Sequence, residues 1–303
     1  MKKNKLSIVI SAYNEEGKIT QCLESASFAD EIVFVDNSSA DKTVEIAKKF
    51  TDKIFIKPNN LMLNTNKNFG FSKATGDWIL SLDADERITL ELKEEMLSAT
   101  RHAPSGVNGF WLPRKNIIFG KWIKHTGWYP DYQLRLFKKD MGSFSAKHVH
   151  EMITLKGETA YVKEHILHYN YDSISQFLTK LDLIYTSNEA EQLLGNGYVI
   201  TWADALKMPI KEFVSRFFAR EGYKDGFHGL MLSILMAFYH FIVFAKIWEK
   251  QGFNQISDAK ILPQTEIEVR NAHKEIMFWF FNEKIKSANG IKKLLFRLRR
   301  HLI

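Results

Sequence analysis

Residues 74–86 read Ala74-Thr75-Gly76-Asp77-Trp78-Ile79-Leu80-Ser81-Leu82-Asp83-Ala84-Asp85-Glu86: an uncharged run, 78–82, followed by three acids within four positions. A run that short and that apolar has the composition of a strand buried on both faces, and its charge emerges only at the carboxyl end. Toward the N-terminus lie three more runs of the same kind, at residues 7–12, 32–36 and 53–57. Segments of helical composition, 16–26, 42–50 and 64–74, separate them. This alternation predicts an α/β fold, a mainly parallel sheet with helices on both faces. No Gly-x-Gly-x-x-Gly fingerprint follows the first run, which disfavours a nicotinamide or flavin enzyme.

In open α/β sheets, ligands bind beyond the carboxyl ends of the strands. Polar residues gather at those ends here: Tyr13-Asn14-Glu15, Asp36-Asn37-Ser38-Ser39 and Asp83-Ala84-Asp85-Glu86. Any one of these acids alone would serve as a helix cap or a surface turn. Acids at three equivalent positions instead converge on one crevice. The spacing of Asp83 and Asp85 suits a hard divalent ion, Mg²⁺ or Mn²⁺, with phosphate oxygens and water completing its shell.

These three segments, in order, resemble the signature segments of glycosyltransferase family 2. The first is Ser7-Ile8-Val9-Ile10-Ser11-Ala12-Tyr13-Asn14-Glu15-Glu16, the second runs from Ile32 to Thr43, and the third is the stretch quoted above. The resemblance implies a GT-A fold, a nucleotide-sugar donor and inversion at the anomeric carbon. It implies a donor site made of Tyr13, Asn14, Glu15, Asp36, Lys67, Asn68 and Asp83, with Tyr13, Glu15 and Asp36 on the base and ribose. The metal falls to Asp83 and Asp85, with His150 of His148-Val149-His150-Glu151 as a further candidate. A zinc site is not expected there, since no ligands at helical or cysteine-type spacing accompany it.

Inverting transfer also needs a base to take the acceptor hydroxyl's proton. In Gly127-Trp128-Tyr129-Pro130-Asp131-Tyr132-Gln133-Leu134-Arg135 the carboxylate that matches the family's acceptor-side segment is Asp131, and a cap on the turn after Pro130 is its plainer alternative. Trp128, Gln133 and Arg135 are expected on the acceptor side. Gln133-x-Arg135 is similar to the Gln-x-x-Arg-Trp element of processive members, but its spacing differs and Leu136-Phe137 follows, so a processive polymerase is not expected.

Residues 110–169 predict shorter strands and loops, 173–194 a long helical stretch, and nearly everything beyond Trp202 helix, bent around Gly222, Gly226 and Gly229. We therefore expect a catalytic domain over 1–200 and a helical region over 201–303. Residues 220–230 and 245–249 resemble the lipopolysaccharide-core glucosyltransferase branch of the family, which implies UDP-glucose as donor and a lipid-linked or lipopolysaccharide-type saccharide as acceptor. Residues 230–245 carry no charge but fall short of the ~20 apolar residues a spanning helix needs, so a buried or interfacial helix is expected. At the end of the chain, Ile291, Leu294, Leu295, Leu298 and Leu302 share one helical stripe, with Lys292, Lys293, Arg299 and Arg300 off it, as in a helix lying in a lipid interface. A helix docked on the core with a solvated basic face is the alternative.

The charge supports the lipid reading. Residues 284–303 hold seven Lys/Arg and no acid, which equals the chain's whole net charge of +7, so the rest sums to zero. A neutral body excludes nucleic acid as a partner and leaves an anionic membrane surface for the tail. A single cysteine, Cys22, allows no internal disulfide and suits a reducing compartment. The apolar run after Met1-Lys2-Lys3 is short and lacks an Ala-x-Ala-like site, so a first strand is expected rather than a secretory leader. The expected location is cytoplasmic, peripheral on the inner face of the membrane. Two rival readings remain: a metal-independent glycoside hydrolase with paired carboxylates, and a non-catalytic membrane-docking protein with a degenerate transferase domain. Retention of Glu15, Asp36, Asp83, Asp85 and Asp131 speaks against the latter.

Overall fold

Apolar residues that alternate between the two faces of a strand allow it to be covered on both sides, and the N-terminal half is built this way. The computed structural model describes residues 4–59, 63–145, 151–254 and 261–302. In chain order come β1 (Leu6–Ala12), α1 (Ile19–Ala26), β2 (Glu31–Asp36), α2 (Thr43–Ala47), β3 (Ile54–Ile56), α3 (Leu63–Lys73), β4 (Trp78–Asp83), β5 (Glu86–Ile88), α4 (Leu90–Arg101) and β6 (Val107–Ile118). There follow β7 (Lys121–Trp122), β8 (Asp131–Lys138), β9 (Gly142–Ser143), β10 (Thr154–Leu155), β11 (Glu158–Tyr161) and β12 (Ile166–Tyr171). The chain divides into two compact units, Met1–Ile118 with Tyr129–Asn170 and Phe119–Trp128 with Tyr171–Ile303. The boundary expected near residue 200 thus lies inside the second unit.

In the first unit the sheet order is β3-β2-β1-β4-β8-β6-β12-β5. β1 pairs in parallel with both β2 and β4, and β2 with β3, while β8 runs antiparallel to β4 and to β6. The predicted βαβ rhythm is therefore present, and the sheet is mixed beyond β4. Ile8 and Ile10 of β1 pack with Leu80 and Leu82 of β4 against Ile19, Cys22 and Leu23 of α1 and Leu92 and Met96 of α4. Their neighbours Val9, Val33, Val35 and Ile79 face the other way, onto Phe71 and Ala74 near the end of α3 and onto Phe137 and Phe144. Phe71 meets Phe137 edge-on with ring centroids 5.1 Å apart.

The second unit is almost wholly helical. α5 (Ile174–Lys180), a π-helical turn at Leu181–Thr186 and α6 (Ser187–Gly195) make up the predicted long helical stretch. α7 (Asp204–Val214) follows, and Glu221 in the left-handed region (φ 53°) opens the tight turn into α8 (Phe227–Lys250). At that turn a Cβ on Gly229 would lie 1.8 Å from the Gly222 carbonyl oxygen, so only glycine allows the approach. Ala190 of α6 packs with Val243 and Ile247 of α8. α8 runs 24 residues, longer than the uncharged stretch, and its most apolar window has a mean hydropathy of 2.0 with 28% of it buried. By length and composition it is able to cross a bilayer, a test that the core helices of soluble proteins also pass.

α9 (Ile261–Ser287) and α10 (Gly290–His301) form a hairpin. Arg300 donates to Asn282 Oδ1 at 2.6 Å, its guanidinium lies over Phe278, and Phe281 and Phe296 are 6.3 Å apart. That contact consumes one face of α10. The predicted stripe stays outside it, with Ile291 78% and Leu302 86% exposed and Leu294, Leu295 and Leu298 more than half exposed.

Gly76 is where the chain enters β4, and a Cβ there would meet Lys5 O and Ser7 N at 2.8 Å and Ser7 Oγ at 2.7 Å. Two of these are backbone atoms within the first strand's approach and cannot swing aside. Gly76→Ala is therefore expected to lower stability by about 1–3 kcal/mol, read as a lower midpoint in chemical denaturation; an unchanged midpoint would contradict the packing described.

Candidate active site

Because β1, β2 and β4 are parallel, their carboxyl ends share one edge of the sheet. The register sets Ala12 level with Asp36 and Ser11 level with Asp83. The loops leaving these ends are knitted together. Asn14, in the left-handed region at φ 52°, donates its backbone N–H to Ser39 Oγ and accepts the Ala40 N–H on Oδ1, at 2.9 and 2.8 Å. The Glu15 N–H donates to Thr43 Oγ1 at 2.8 Å, and Glu16 exchanges bonds with Asp41 and the Lys42 N–H. Asn14 thus clasps the second loop to the first and leaves Tyr13, 42% exposed, on the surface.

Asp36 is 1% exposed. Its Oδ2 accepts the Ser39 N–H at 2.8 Å, whereas Oδ1 is buried with no partner among the described residues. An unmatched buried carboxylate oxygen is costly to a fold and marks a place where a ligand donor is wanted. Of the neighbouring pair on α3, Lys67 faces the acids, but Asn68 does not. Asn68 braces residue 144 instead, donating to Phe144 O and accepting from Phe144 N, both at 2.9 Å. Asn66 is the amide on this side, bonded to Asn37 Oδ1 at 2.5 Å.

Asp83 is held between two cations. Lys67 Nζ lies 2.5 Å from Oδ1 and Arg135 Nη2 2.6 Å from Oδ2. Burial raises the pKa of this carboxyl, but Arg135 and Lys67 outweigh it and hold the group well below the ordinary carboxylate range. Glu86, fully buried, accepts the Asp83 N–H on Oε2 at 2.9 Å and stands 3.4 Å from both Arg114 and Arg135 through Oε1. Burial alone would lower the Arg135 pKa, yet Asp83 and Glu86 raise it. Asp85 points elsewhere, with Oδ2 3.5 Å from His168 Nε2.

Asp131 begins β8 directly across from Arg114 of β6. Its Oδ2 receives Arg114 Nε at 2.9 Å, Arg114 Nη2 at 2.7 Å and Asn116 Nδ2 at 3.0 Å, and its Oδ1 receives Gln133 Nε2 at 2.8 Å. Burial pushes this carboxyl up, and the Arg114 charge with the Asn116 and Gln133 hydrogen bonds brings it to a net position below the usual value. Asp131 therefore stays ionised at neutral pH, aimed by three donors. Trp128 belongs to the second unit, where Arg216 lies over its ring at 5.8 Å and Tyr171 meets it edge-on at 6.4 Å. His150 lies outside the described residues.

Glu86, Arg114, Asn116 and His168 are the members of this arrangement to which sequence reading assigns no role. Arg114 and Asn116 share one face of β6, but Lys115 lies between them, so the strand's sequence gives no clean period-two signal for the pair. Among the described residues no group of three or more His, Cys, Asp or Glu is set to cage a metal. Asp85 beside His168 fits a hard divalent ion that is bound through one carboxylate and shared with a ligand's phosphate oxygens, rather than a closed protein site.

Residues 7–157 match the Glycosyl transferase family 2 model. An uncharacterized glycosyltransferase of Rickettsia typhi is 29% identical over 258 residues, covering 81% of this chain and 87% of the relative. A lipopolysaccharide core biosynthesis glycosyltransferase of Rhizobium meliloti is 25% identical over 255 residues, covering 82% and 93%. Among solved structures, a mannosyltransferase from Pyrobaculum calidifontis aligns at 12% identity with a TM-score of 0.43, covering 89% of this chain and 81% of that one.

Arg114→Gln removes the cation that offsets the burial of Asp131. The Asp131 carboxyl, followed by ¹³C NMR, is expected to titrate below the ordinary Asp value of ~3.9 in the native protein and above it in the variant. The stabilisation from ionised Asp131 is present above the unfolded-state pKa and lost as pH falls through the lower folded one; in the variant, with its folded pKa above the unfolded value, that stabilisation is absent and this group favours the folded state as it takes up its proton. Identical titrations would show that Arg114 does not govern this group.

Proposed function

The chain belongs to glycosyl transferase family 2, and from that premise we propose that it moves a hexose from a nucleoside diphosphate to a hydroxyl of a lipid-linked or lipopolysaccharide-type glycan, with inversion. The observation that carries the reading is the shared edge: acids from three separate segments of sequence end there, and one of them, Asp36, keeps an unmatched buried oxygen. A ribose hydroxyl supplies the donor that Asp36 Oδ1 lacks. Tyr13 and Glu15, on the adjoining loop, hold the base. Glucose as the sugar and uracil as the base follow from the likeness of residues 220–230 and 245–249 to the lipopolysaccharide-core branch, and the name of the Rhizobium meliloti relative agrees with such an acceptor.

Asp83 acts through its partners. With both oxygens engaged by Lys67 and Arg135, it fixes two cations at the crevice rather than offering itself to a metal. We therefore assign the divalent ion, Mg²⁺ or Mn²⁺, to Asp85, with the donor diphosphate completing its shell. When bound, that ion offsets the charge growing on the departing nucleoside diphosphate. Asp131 accepts the proton of the attacking hydroxyl. Its lowered pKa makes it a weaker base but keeps it proton-free at every working pH, and the Arg114, Asn116 and Gln133 donors hold its direction.

The enzyme is proposed to work on the cytoplasmic face of a membrane. Support comes from α10, whose exposed apolar stripe is flanked by Lys292, Lys293, Arg297 and Arg299. Each basic residue near an anionic surface contributes about 1 kcal/mol.

Two measurements test this reading. Nucleoside diphosphate release from a panel of nucleotide sugars, UDP-glucose first, should depend on Mg²⁺ or Mn²⁺ and be lost in Asp85→Ala; full activity in that variant would overturn the metal assignment. Sedimentation with vesicles containing phosphatidylglycerol should fall by about tenfold or more when Lys292, Lys293, Arg297 and Arg299 become Glu, and unchanged sedimentation would remove α10 as the anchor.

A further inference from the structure

Between the Asp85 carboxylate and the Asp131 carboxylate lie two buried side chains, His168 and Asn116, of which Asn116 is hydrogen-bonded to both His168 and Asp131. Asp85 Oδ2 stands 3.5 Å from His168 Nε2. His168 Nδ1 is 2.7 Å from Asn116 Oδ1, and Asn116 Nδ2 donates to Asp131 Oδ2 at 3.0 Å. Asn116 is fully buried and His168 is 8% exposed, so water does not compete for these bonds. The residues come from four places in the chain: the loop after β4, then β6, β8 and β12.

The chemistry of the groups sets the direction of the link. An ionised carboxylate accepts only, so the side of Asn116 that faces Asp131 must be its NH₂. The carbonyl of Asn116 then faces His168, and a carbonyl also accepts only. His168 Nδ1 must therefore carry the hydrogen that Asn116 accepts, and Nε2 then lies on the Asp85 side, at an ion-pair distance rather than in a hydrogen bond. The orientation of one amide thus sets the hydrogen on His168 Nδ1 and the line from His168 to Asp131.

We propose that His168 is a positioning residue of the transfer reaction, which through Asn116 sets the angle of the Asp131 carboxylate relative to the Asp85 side of the crevice. The proposal rests on Asp131 being the base. The other residue that donates to Asp131 Oδ2, Arg114, supplies charge, whereas the neutral Asn116 supplies direction, and its own direction comes from His168. Such supporting partners are worth about 10–100-fold in activity when they hold a reacting group in place.

Two substitutions of His168 separate this role from simple filling of space. The amide of Asn falls near the position of Nδ1 and that of Gln near Nε2. In the full chain, UDP release from UDP-glucose with Mn²⁺ and water as acceptor should drop about tenfold in kcat for His168→Gln, with KM for UDP-glucose within about twofold. His168→Asn should recover most of that loss. In an Asp131→Asn background, His168→Gln should cost nothing further, because its effect runs through Asp131. Equal losses in the Asn and Gln variants, a loss carried in KM, or an undiminished cost in the Asp131→Asn background would each overturn the proposal. A readout free of turnover comes from ¹⁵N-histidine NMR of the native protein, in which His168 must show a protonated Nδ1; a bare Nδ1 with hydrogen only on Nε2 breaks the link. Full UDP release by Asp131→Asn alone would instead strike at the base assignment, taking the proposal with it while leaving the NMR result intact.

Discussion

The parallel pairing of β1 with β2 on one side and β4 on the other is the constraint from which the site follows. Parallel hydrogen bonding leaves no choice about which ends of the strands meet, and register then decides how closely. Here Ala12 is level with Asp36 and Ser11 with Asp83, so loops distant in sequence leave the sheet side by side. The apolar alternation that buries Ile8 and Ile10 on one face and Val9 on the other holds that register, since a slip of one residue would exchange the faces. Packing energy and site geometry are thus the same property of these strands.

Beyond the parallel strands, the antiparallel pair β8 and β6 brings the cations. Glu86 is buried between Arg114 and Arg135, and these in turn hold Asp131 and Asp83. Buried charges of this kind are tolerated only when each has its partners, and removing one strands the others at a cost of several kcal/mol. The two acids sit in this network differently: Asp83 is held between two cations, and Asp131 between Arg114 and two amides, both with lowered pKa.

The four parallel strands, the acids at their ends and the exposed stripe of α10 were legible because each rests on local periodicity. What was not legible depends on long-range register. Lys67 and Asn68 are neighbours on α3, and nothing local says that one faces the acids while the other turns to Phe144. Arg114 and Asn116 look like ordinary polar positions until β8 is laid against β6 with Asp131 opposite Arg114. His168 gains its place only when β12 brings it beside the loop after β4. The uncharged run at 230–245 undercounted α8, because Phe227 and Ile247 extend the helix past residues that the charge pattern took as its limits. The excursion at 119–128 groups with the helical unit through long-range contacts that no local pattern announces, such as Asp225 accepting the His125 N–H at 2.7 Å.

On the proposed reading, three loops, 13–17, 36–43 and 83–87, act as one binding edge. Hydrogen–deuterium exchange of the full chain, with and without UDP and Mn²⁺, tests it most directly. Slowed exchange in all three segments together, with α9 and α10 unchanged, is the predicted result. Protection confined to one of the three, or found only in the helical unit, would contradict the account.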